Sequence, residues 1–353
     1  MYMNNLAEPL PAPALEDNGE EALAGLFDGA DLSERSATRL FTELVEGRMA
    51  EPAIAAMLVA LRLKGETVDE LIGAARALRA ADSDFERPDY LFADSCGTGG
   101  DGSGSINIST AVAFVAAAAG LPVAKHGNRS FTSRCGSADV LEQLGIKVDV
   151  PASVSRRALD ETGICFLFAP LYHPGLRHAG PARRALKVRT IMNVLGPCVN
   201  PAEPPVQLLG VADPALIEPV ASTLLALGTR HALVVHGSGL DEVALHGPTD
   251  AARIRDGRIE RLTLTPEEAG LSRSPFNAVK GGDPQENAQR LAVLLRGRGA
   301  AAETEAVAIN AGALLLTAGL AASLGEAVTI ALDTIASGEP FRRVEALAEA
   351  THA

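Results

Sequence analysis

No apolar run in the sequence approaches the roughly 18 residues that a membrane-spanning helix needs. An integral membrane role is therefore not expected. The first residues, MYMNNLAEPLPAPALEDNGEE, lack a basic stretch followed by an apolar one, so residues 1–22 read as a flexible extension rather than a secretion signal, and a cytoplasmic location is expected. Cysteine is scarce. The four residues Cys96, Cys135, Cys165 and Cys198 show no CxxC or zinc-like spacing, which excludes a disulfide framework and points to reduced, mostly buried thiols. Positive charge is also short, since 31 Lys and Arg against 44 Asp and Glu leave a net charge of −13, which argues against a nucleic-acid partner. One absence is local. From Thr162 through Ala202 there is no carboxylate, yet Arg177, Arg183, Arg184, Lys187 and Arg189 all fall there, so an acidic protein reserves this segment for an anionic small molecule.

What is present has the texture of an ordinary soluble protein, 47% hydrophobic and 21% charged, long enough at 353 residues for two domains. Between Leu40 and Leu78 apolar positions recur at helical spacing, as in Val68, Leu71, Ile72, Ala75 and Leu78, and Thr67 with Glu70 has the form of a capping box. This predicts a helical domain over residues 23–85, closed by the polar linker DSDFERP and joined by a segment near 185–200. Beyond it, residues 86–353 alternate short apolar runs (Tyr90 to Ala93, PVAKHG, IKVDV, ICFLFAP, VQLLGV, HALVVHG) with helices such as Asn107 to Ala119 and Pro214 to Leu227. The fold class is thus α/β: a small helical N-terminal domain plus a larger α/β domain with a mostly parallel central sheet, in which ligands gather at the carboxyl ends of the strands.

Three loops at such ends carry chemistry. DSCGTGGDGSGSINIST concentrates glycines between Gly97 and Gly104 immediately before a helix, so backbone N–H groups and a helix N-terminus converge on an anion. Its match to G-x-G-x-x-G at Gly97, Gly99 and Gly102 does not make it a dinucleotide site, because the next strand ends in Lys125 and His126 rather than an acid. KHGNRSFTSRCGS supplies cations and hydroxyls for phosphate and a neutral Asn128, before a helix that Ser137 is placed to cap. HGSGLDE delivers Asp241 and Glu242 together, a pair suited to a magnesium ion that shares its coordination with phosphate.

GTGGDGSGSINIST, KHGNRSFTSRCGSADVLEQLG, FLFAPLYHPGLRHAGPARR, RTIMNVLGP and HGSGLDE, in this order, resemble the anthranilate phosphoribosyltransferase family over nearly everything after residue 30. The resemblance implies a nucleoside phosphorylase-like architecture, a homodimer formed through the helical parts, and a role in tryptophan biosynthesis. It implies transfer of phosphoribosyl from phosphoribosyl pyrophosphate to the amine of anthranilate, releasing pyrophosphate, with no catalytic acid or base. By motif, Gly97, Gly100, Asp101, Ser105, Asn107, Ile108, Ser109, Thr110, Lys125, His126, Gly127, Asn128, Arg129, Ser130, Phe131, Thr132, Ser133 and Ser137 would hold phosphoribosyl pyrophosphate. Gly97, Asn128, Arg183, His126 and His173 would face anthranilate, with Arg183 reading its carboxylate. Ser109, Asp241 and Glu242 would hold Mg2+, two ions per site. His178 and His246 read as structural. The chain departs from common members at Cys96, where Val is usual, and at Lys187, where glycine is frequent. A pyrimidine nucleoside phosphorylase is the alternative on the same scaffold, although GNRSFTSRCG stands where its GRGLGHTGGT-like segment would be. A catalytically silent nucleic-acid-binding relative is the other, and the acidic charge and intact loops oppose it.

Overall fold

The computed structural model describes residues 19–130 and 134–353. Helices α1 (Gly19–Phe27), α2 (Glu34–Val45), α3 (Glu51–Lys64) and α4 (Val68–Ala80) come first, so the chain is already helical four residues inside the expected extension. Thr67 and Glu70 form the reciprocal capping box at the start of α4. Glu70 is fully buried, and its carboxylate also accepts from the Leu32 N–H (2.9 Å) and from Lys64 (3.1 Å). One side chain thus caps α4 and fastens it to two neighbouring segments, which satisfies a charge that would otherwise be expensive to bury.

The α/β part follows as β1 (Ala93–Gly97), α5 (Ile108–Ala118), β2 (Val123–Gly127), α6 (Ser137–Gln143), α7 (Ala152–Thr162), β3 (Ile164–Phe168), α8 (Ala169–Tyr172), α9 (Gly180–Leu186), α10 (Ile191–Cys198), β4 (Val206–Gly210), α11 (Ile217–Ala226), β5 (His231–His236), β6 (Thr249–Arg255), β7 (Arg258–Leu264), α12 (Pro284–Val293), α13 (Ala301–Thr317), α14 (Leu324–Ser337) and α15 (Glu339–His352). The sheet order is β3-β2-β1-β4-β5-β6-β7, parallel through β5 and antiparallel at β6 and β7. β5 and its hairpin close one edge. The hairpin turns on Asp256 and Gly257, both at positive φ, as a two-residue turn between twisted strands requires.

Helix α5 is apolar on every side and almost wholly buried, among α13, α14, α15 and one face of the sheet. Its alanines let those helices approach closely, and its N-terminus is aimed at the carboxyl edge of the sheet. The opposite face packs a second apolar cluster that joins α2, α3 and α4 to residues 179–199, to α11 and to the outward side chains of β4, β5 and β6. The helical bundle is therefore fastened onto the sheet rather than carried on a free linker.

Three local expectations are corrected. The first strand is Ala93–Gly97 rather than Tyr90 to Ala93, so the strand runs into the glycine loop itself. It was hidden because Asp94 and Ser95 are polar yet buried. Asp94 accepts from Asn200 (2.9 Å) and from the His126 N–H (3.3 Å), which offsets the cost of burial. IKVDV forms no strand: Ile146, Val148 and Val150 are buried in alternation, but the segment pairs with no neighbour. Ser137 does not cap α6. Gly136 is the cap and Ser137 the first helical residue, while Asp139 accepts from the N–H groups of Gly136 (2.8 Å) and Ser130 (3.0 Å). Lys187, where the resembled family often has glycine, ends α9 at φ 52, the left-handed region that glycine enters without strain.

Candidate active site

Glycine ends four of the parallel strands or directly follows them, and each is there because another group lies where a Cβ would be. A Cβ on Gly97 (β1) would sit 2.2 Å from Asp241 Oδ2, one on Gly210 (β4) 1.6 Å from the Asp241 carbonyl oxygen, and one on Gly237, next after β5, 2.2 Å from the Glu242 carbonyl oxygen. Gly97 and Gly210 are register partners on adjacent strands. Together these glycines form a floor across which the acidic loop lies. At the end of β2, Gly127 leaves room for the Ser137 hydroxyl, 2.3 Å from its Cβ position.

The three loops meet in one cleft of about 300 Å³, lined among others by Gly99, Lys125, Asn128, Asp241 and Glu242. All the described residues expected to hold the sugar diphosphate line it: Gly97, Gly100, Asp101, Ser105, Asn107, Ile108, Ser109 and Thr110 from the first loop, and Lys125 to Ser130 with Ser137 from the second. Phe131, Thr132 and Ser133 lie outside the described residues. The loops are bonded to one another. The Gly99 N–H donates to Asp241 (2.6 Å) and the Ser109 N–H to Glu242 (3.1 Å), while Lys125 donates to the Ser95 carbonyl and the Ser109 hydroxyl (3.3 Å). The acidic loop is thus held at the N-terminus of α5. Arg129 is partly engaged already, by Glu142 and by the Phe168 ring 4.9 Å away.

Burial and the nearby Asp101 push the Asp241 carboxyl up to about 7, and burial with Asp241 raises Glu242 well above the usual range, against the pull of Lys125. Among the described residues no group of three His, Cys, Asp or Glu side chains is arranged to hold a metal by itself. Two crowded carboxylates beside a hydroxyl, with the glycine cradle opposite, still fit a hard divalent cation that takes its other ligands from water and phosphate.

A second cavity of about 200 Å³ opens from the first, sharing Gly97, His126 and Asn128 with it, and adds His173, Arg183 and Met192. Burial lowers the Arg183 pKa. His126 is buried and held neutral, its pKa pushed well below the usual value by burial and then by His173. The unfolded chain takes up this proton near pH 6.5 and the folded one does not, so stability falls as pH drops below about 6.5, by roughly 1.4 kcal/mol per unit from this group. Thermal melts from pH 8 to 5 should show a shallower acid-side decline in His126→Gln than in the native chain; parallel curves would refute the assignment. His178 and His246 lie elsewhere, the first packed over Gly47 and the second bonded to the Ser238 carbonyl (3.0 Å).

Two neighbours of the cavities were noticed in the sequence but given no place in the site. Cys96 lines both cavities, its thiol raised by burial and set between Asp94 (3.6 Å) and Gln207 (3.7 Å). Arg189 donates to the Gly100 carbonyl (3.0 Å), while its own carbonyl accepts from Arg62 of α3 (2.7 Å), so it ties the glycine loop to the helical bundle. The carboxylate-free segment was its only signal.

A glycine-and-helix cradle, a carboxylate pair and a cation-lined side cavity, at the carboxyl edge of a sheet backed by a helical bundle, define a two-domain transferase of phosphorylated sugars. Family models agree: "Glycosyl transferase family, helical bundle domain" matches residues 20–81 and "Glycosyl transferase family, a/b domain" matches residues 89–341. The chain belongs to the anthranilate phosphoribosyltransferase family. It is 59% identical over 319 residues to the anthranilate phosphoribosyltransferase of Sorangium cellulosum, covering 90% of this chain and 92% of that one, and 52% identical over 327 residues to that of Aeromonas hydrophila, covering 93% and 96%. The crystal structure of the Thermus thermophilus enzyme superposes with a TM-score of 0.89 at 42% identity, covering 94% of this chain and 99% of that one. The Saccharomyces cerevisiae enzyme in complex with PRPP and Mg shares the fold at a TM-score of 0.86 and 24% identity, covering 96% and 98%. The activity is transfer of the 5-phosphoribosyl group from phosphoribosyl pyrophosphate to the amine of anthranilate.

Proposed function

We propose that the larger cavity seats phosphoribosyl pyrophosphate and the smaller one anthranilate, so that donor and acceptor meet beside Gly97 and Asn128. The observation that carries this is the shared wall, where a phosphate cradle and an Arg-bearing, partly apolar recess open into each other. The pyrophosphate lies on the N–H groups of Gly97 to Gly104 and the start of α5, with Lys125 nearby. Asp241, Glu242 and the Ser109 hydroxyl hold Mg2+, two ions per site, and the bound metal supplies neutralising charge to the leaving pyrophosphate. Arg183 pairs with the anthranilate carboxylate and turns the amine toward the anomeric carbon.

Displacement at that carbon develops oxocarbenium character, as in glycoside hydrolysis. Both ring nitrogens of His126 and of His173 are engaged by other groups of the protein, and no acid or base role is assigned to either imidazole. Catalysis then rests on alignment of the two substrates and on charge placed against the leaving group. Arg183→Ala should raise the KM for anthranilate by about 10²-fold, the cost of an unpaired buried carboxylate, with the KM for phosphoribosyl pyrophosphate nearly unchanged. Steady-state kinetics with each substrate varied is the check. An unchanged anthranilate KM would move the acceptor out of the smaller cavity.

The functional unit we propose is a homodimer formed through the helical bundle. Leu63 on α3 is 81% exposed, Phe27 at the end of α1 is 51% exposed, and Val188 is 48% exposed on the segment that Arg62 fastens to α3. A second copy that covers this face removes apolar surface from water. Light scattering should give twice the 36.5 kDa chain mass, and Leu63→Glu with Phe27→Glu should give the single-chain mass. A doubly charged variant that stayed dimeric would place the interface elsewhere.

A further inference from the structure

A chain of buried side chains runs from the linker between the two parts of the molecule to the wall of the smaller cavity. Asp82, two residues beyond the end of α4, bonds His173 Nδ1. His173 Nε2 meets His126 Nε2 at 3.0 Å, and His126 Nδ1 meets the Gly196 carbonyl of α10 at 3.2 Å. Asp82 also sits beside Ser83, whose N–H donates to the Tyr172 carbonyl (2.8 Å) and whose hydroxyl donates to the Leu171 carbonyl (3.2 Å). The linker is thereby stitched to α8 and the residue that follows it. Both histidines line the smaller cavity; Asp82 does not.

The hydrogens along this chain can be counted. A carbonyl oxygen only accepts, so His126 Nδ1 carries a hydrogen toward Gly196. One hydrogen lies between the two Nε2 atoms and one between His173 and Asp82. That makes three, whereas two neutral imidazoles carry two. Asp82 completes the count, because its side chain brings the third proton or the charge that holds it on His173. Without it His173 Nδ1 loses its partner, the ring is free to turn, and His126 loses the donor that fixes its plane.

We propose that Asp82 is a positioning residue for the acceptor substrate: acting through His173 and His126, it fixes the cavity wall against which the anthranilate ring lies, from a linker outside the cavity. The inference rests on the seating of anthranilate beside Arg183. It gives the polar linker a function that its sequence does not suggest, and it makes the acceptor pocket depend on how the helical bundle is set on the sheet.

The test is steady-state kinetics on Asp82→Ala, Asp82→Asn and Arg183→Ala in the full-length enzyme. Asp82→Ala should raise the KM for anthranilate about tenfold, the size expected for loss of a hydrogen bond to a charged group, and leave the KM for phosphoribosyl pyrophosphate within about twofold. Asp82→Asn should restore most of the loss, because its amide N–H supplies the hydrogen that the count requires. Adding His173→Ala to Asp82→Ala should cost little more, since the two act as one unit. An unchanged anthranilate KM in Asp82→Ala, or equal rises in both KM values, would overturn the proposal. If Arg183→Ala moves the anthranilate KM and Asp82→Ala does not, the positioning role alone fails; if Arg183→Ala moves nothing, the seating of anthranilate fails. Should Asp82→Ala not fold, 15N spectra of histidine in the native enzyme decide: His126 as the Nδ1–H tautomer supports the chain, and the Nε2–H tautomer refutes it.

Discussion

Replacing Asp241 and Glu242 together by alanine is expected to lower turnover by about 10³-fold or more, even with both substrates and magnesium saturating. The expectation comes from what these carboxylates endure in the folded protein. Burial raises both, with Asp101 pushing Asp241 further and Asp241 pushing Glu242, and Asp241 reaches about 7, so the fold has placed negative charge where it is unfavourable alone. A raised carboxyl costs stability as pH climbs from its unfolded value near 3.9 to its folded value, and that cost is fully present above about pH 7. In the proposed site Asp241 and Glu242 would hold a divalent cation that offsets this cost and would supply several kcal/mol of charge stabilisation to a departing diphosphate. Two measurements separate the roles. Turnover against magnesium concentration reports the chemistry, and melting temperature against magnesium in the native chain, without substrates, reports the site itself. The native enzyme should be stabilised by magnesium more at pH 8 than at pH 6, where protons compete, and the double variant at neither. Magnesium dependence that survived in the double variant would remove these residues from the metal site.

Most of the site was legible because it is built from backbone and short loops. Gly97 to Gly104 before an apolar helix reads as an anion cradle, and Asp241 with Glu242 at a strand end reads as a cation site only once it is set against that cradle. The cleft that joins them needed only the rule that parallel sheets bind ligands at their carboxyl edge. What failed to show has a common physical cause. β1 contains Asp94, a buried carboxylate made tolerable by partners at positions 126 and 200, and no local pattern can display a partner so far along the chain. The histidines at 126 and 173 were singled out for the acceptor pocket, but Asp82, which completes their hydrogen count, stood in what read as an ordinary linker. The β6–β7 hairpin was visible in principle, since Asp256-Gly257 between alternating residues is a turn signal, and it passed unremarked. IKVDV shows the converse, an alternation that burial explains without any strand pairing.

Gly210→Ala should be the most damaging single methyl group that can be added near the site. Its Cβ would lie 1.6 Å from the Asp241 carbonyl oxygen and 2.2 Å from the carbonyl carbon, with backbone on both sides of the clash, so no side chain can rotate to relieve it. Either the end of β4 or the acidic loop has to move by more than an ångström. β4 is held between β1 and β5 along its whole length, so the loop is the part that yields. Asp241 and Glu242 then leave the N–H groups of Gly99 and Ser109 that now hold them. A displacement of this size costs about 10²-fold in rate where catalysis depends on alignment, and overpacking of this kind costs about 3 kcal/mol in stability. Gly325→Ala serves as the control. Gly325 lies in the first turn of α14 with only the Glu268 carbonyl at 3.4 Å, and alanine favours a helix by about 1 kcal/mol over glycine. Melting curves and turnover should therefore part in opposite directions: Gly210→Ala loses both stability and rate, Gly325→Ala neither. Native behaviour in Gly210→Ala would mean that the acidic loop does not rest on the strand ends, and the proposed role of Asp241 and Glu242 beside the glycine cradle would fall with it.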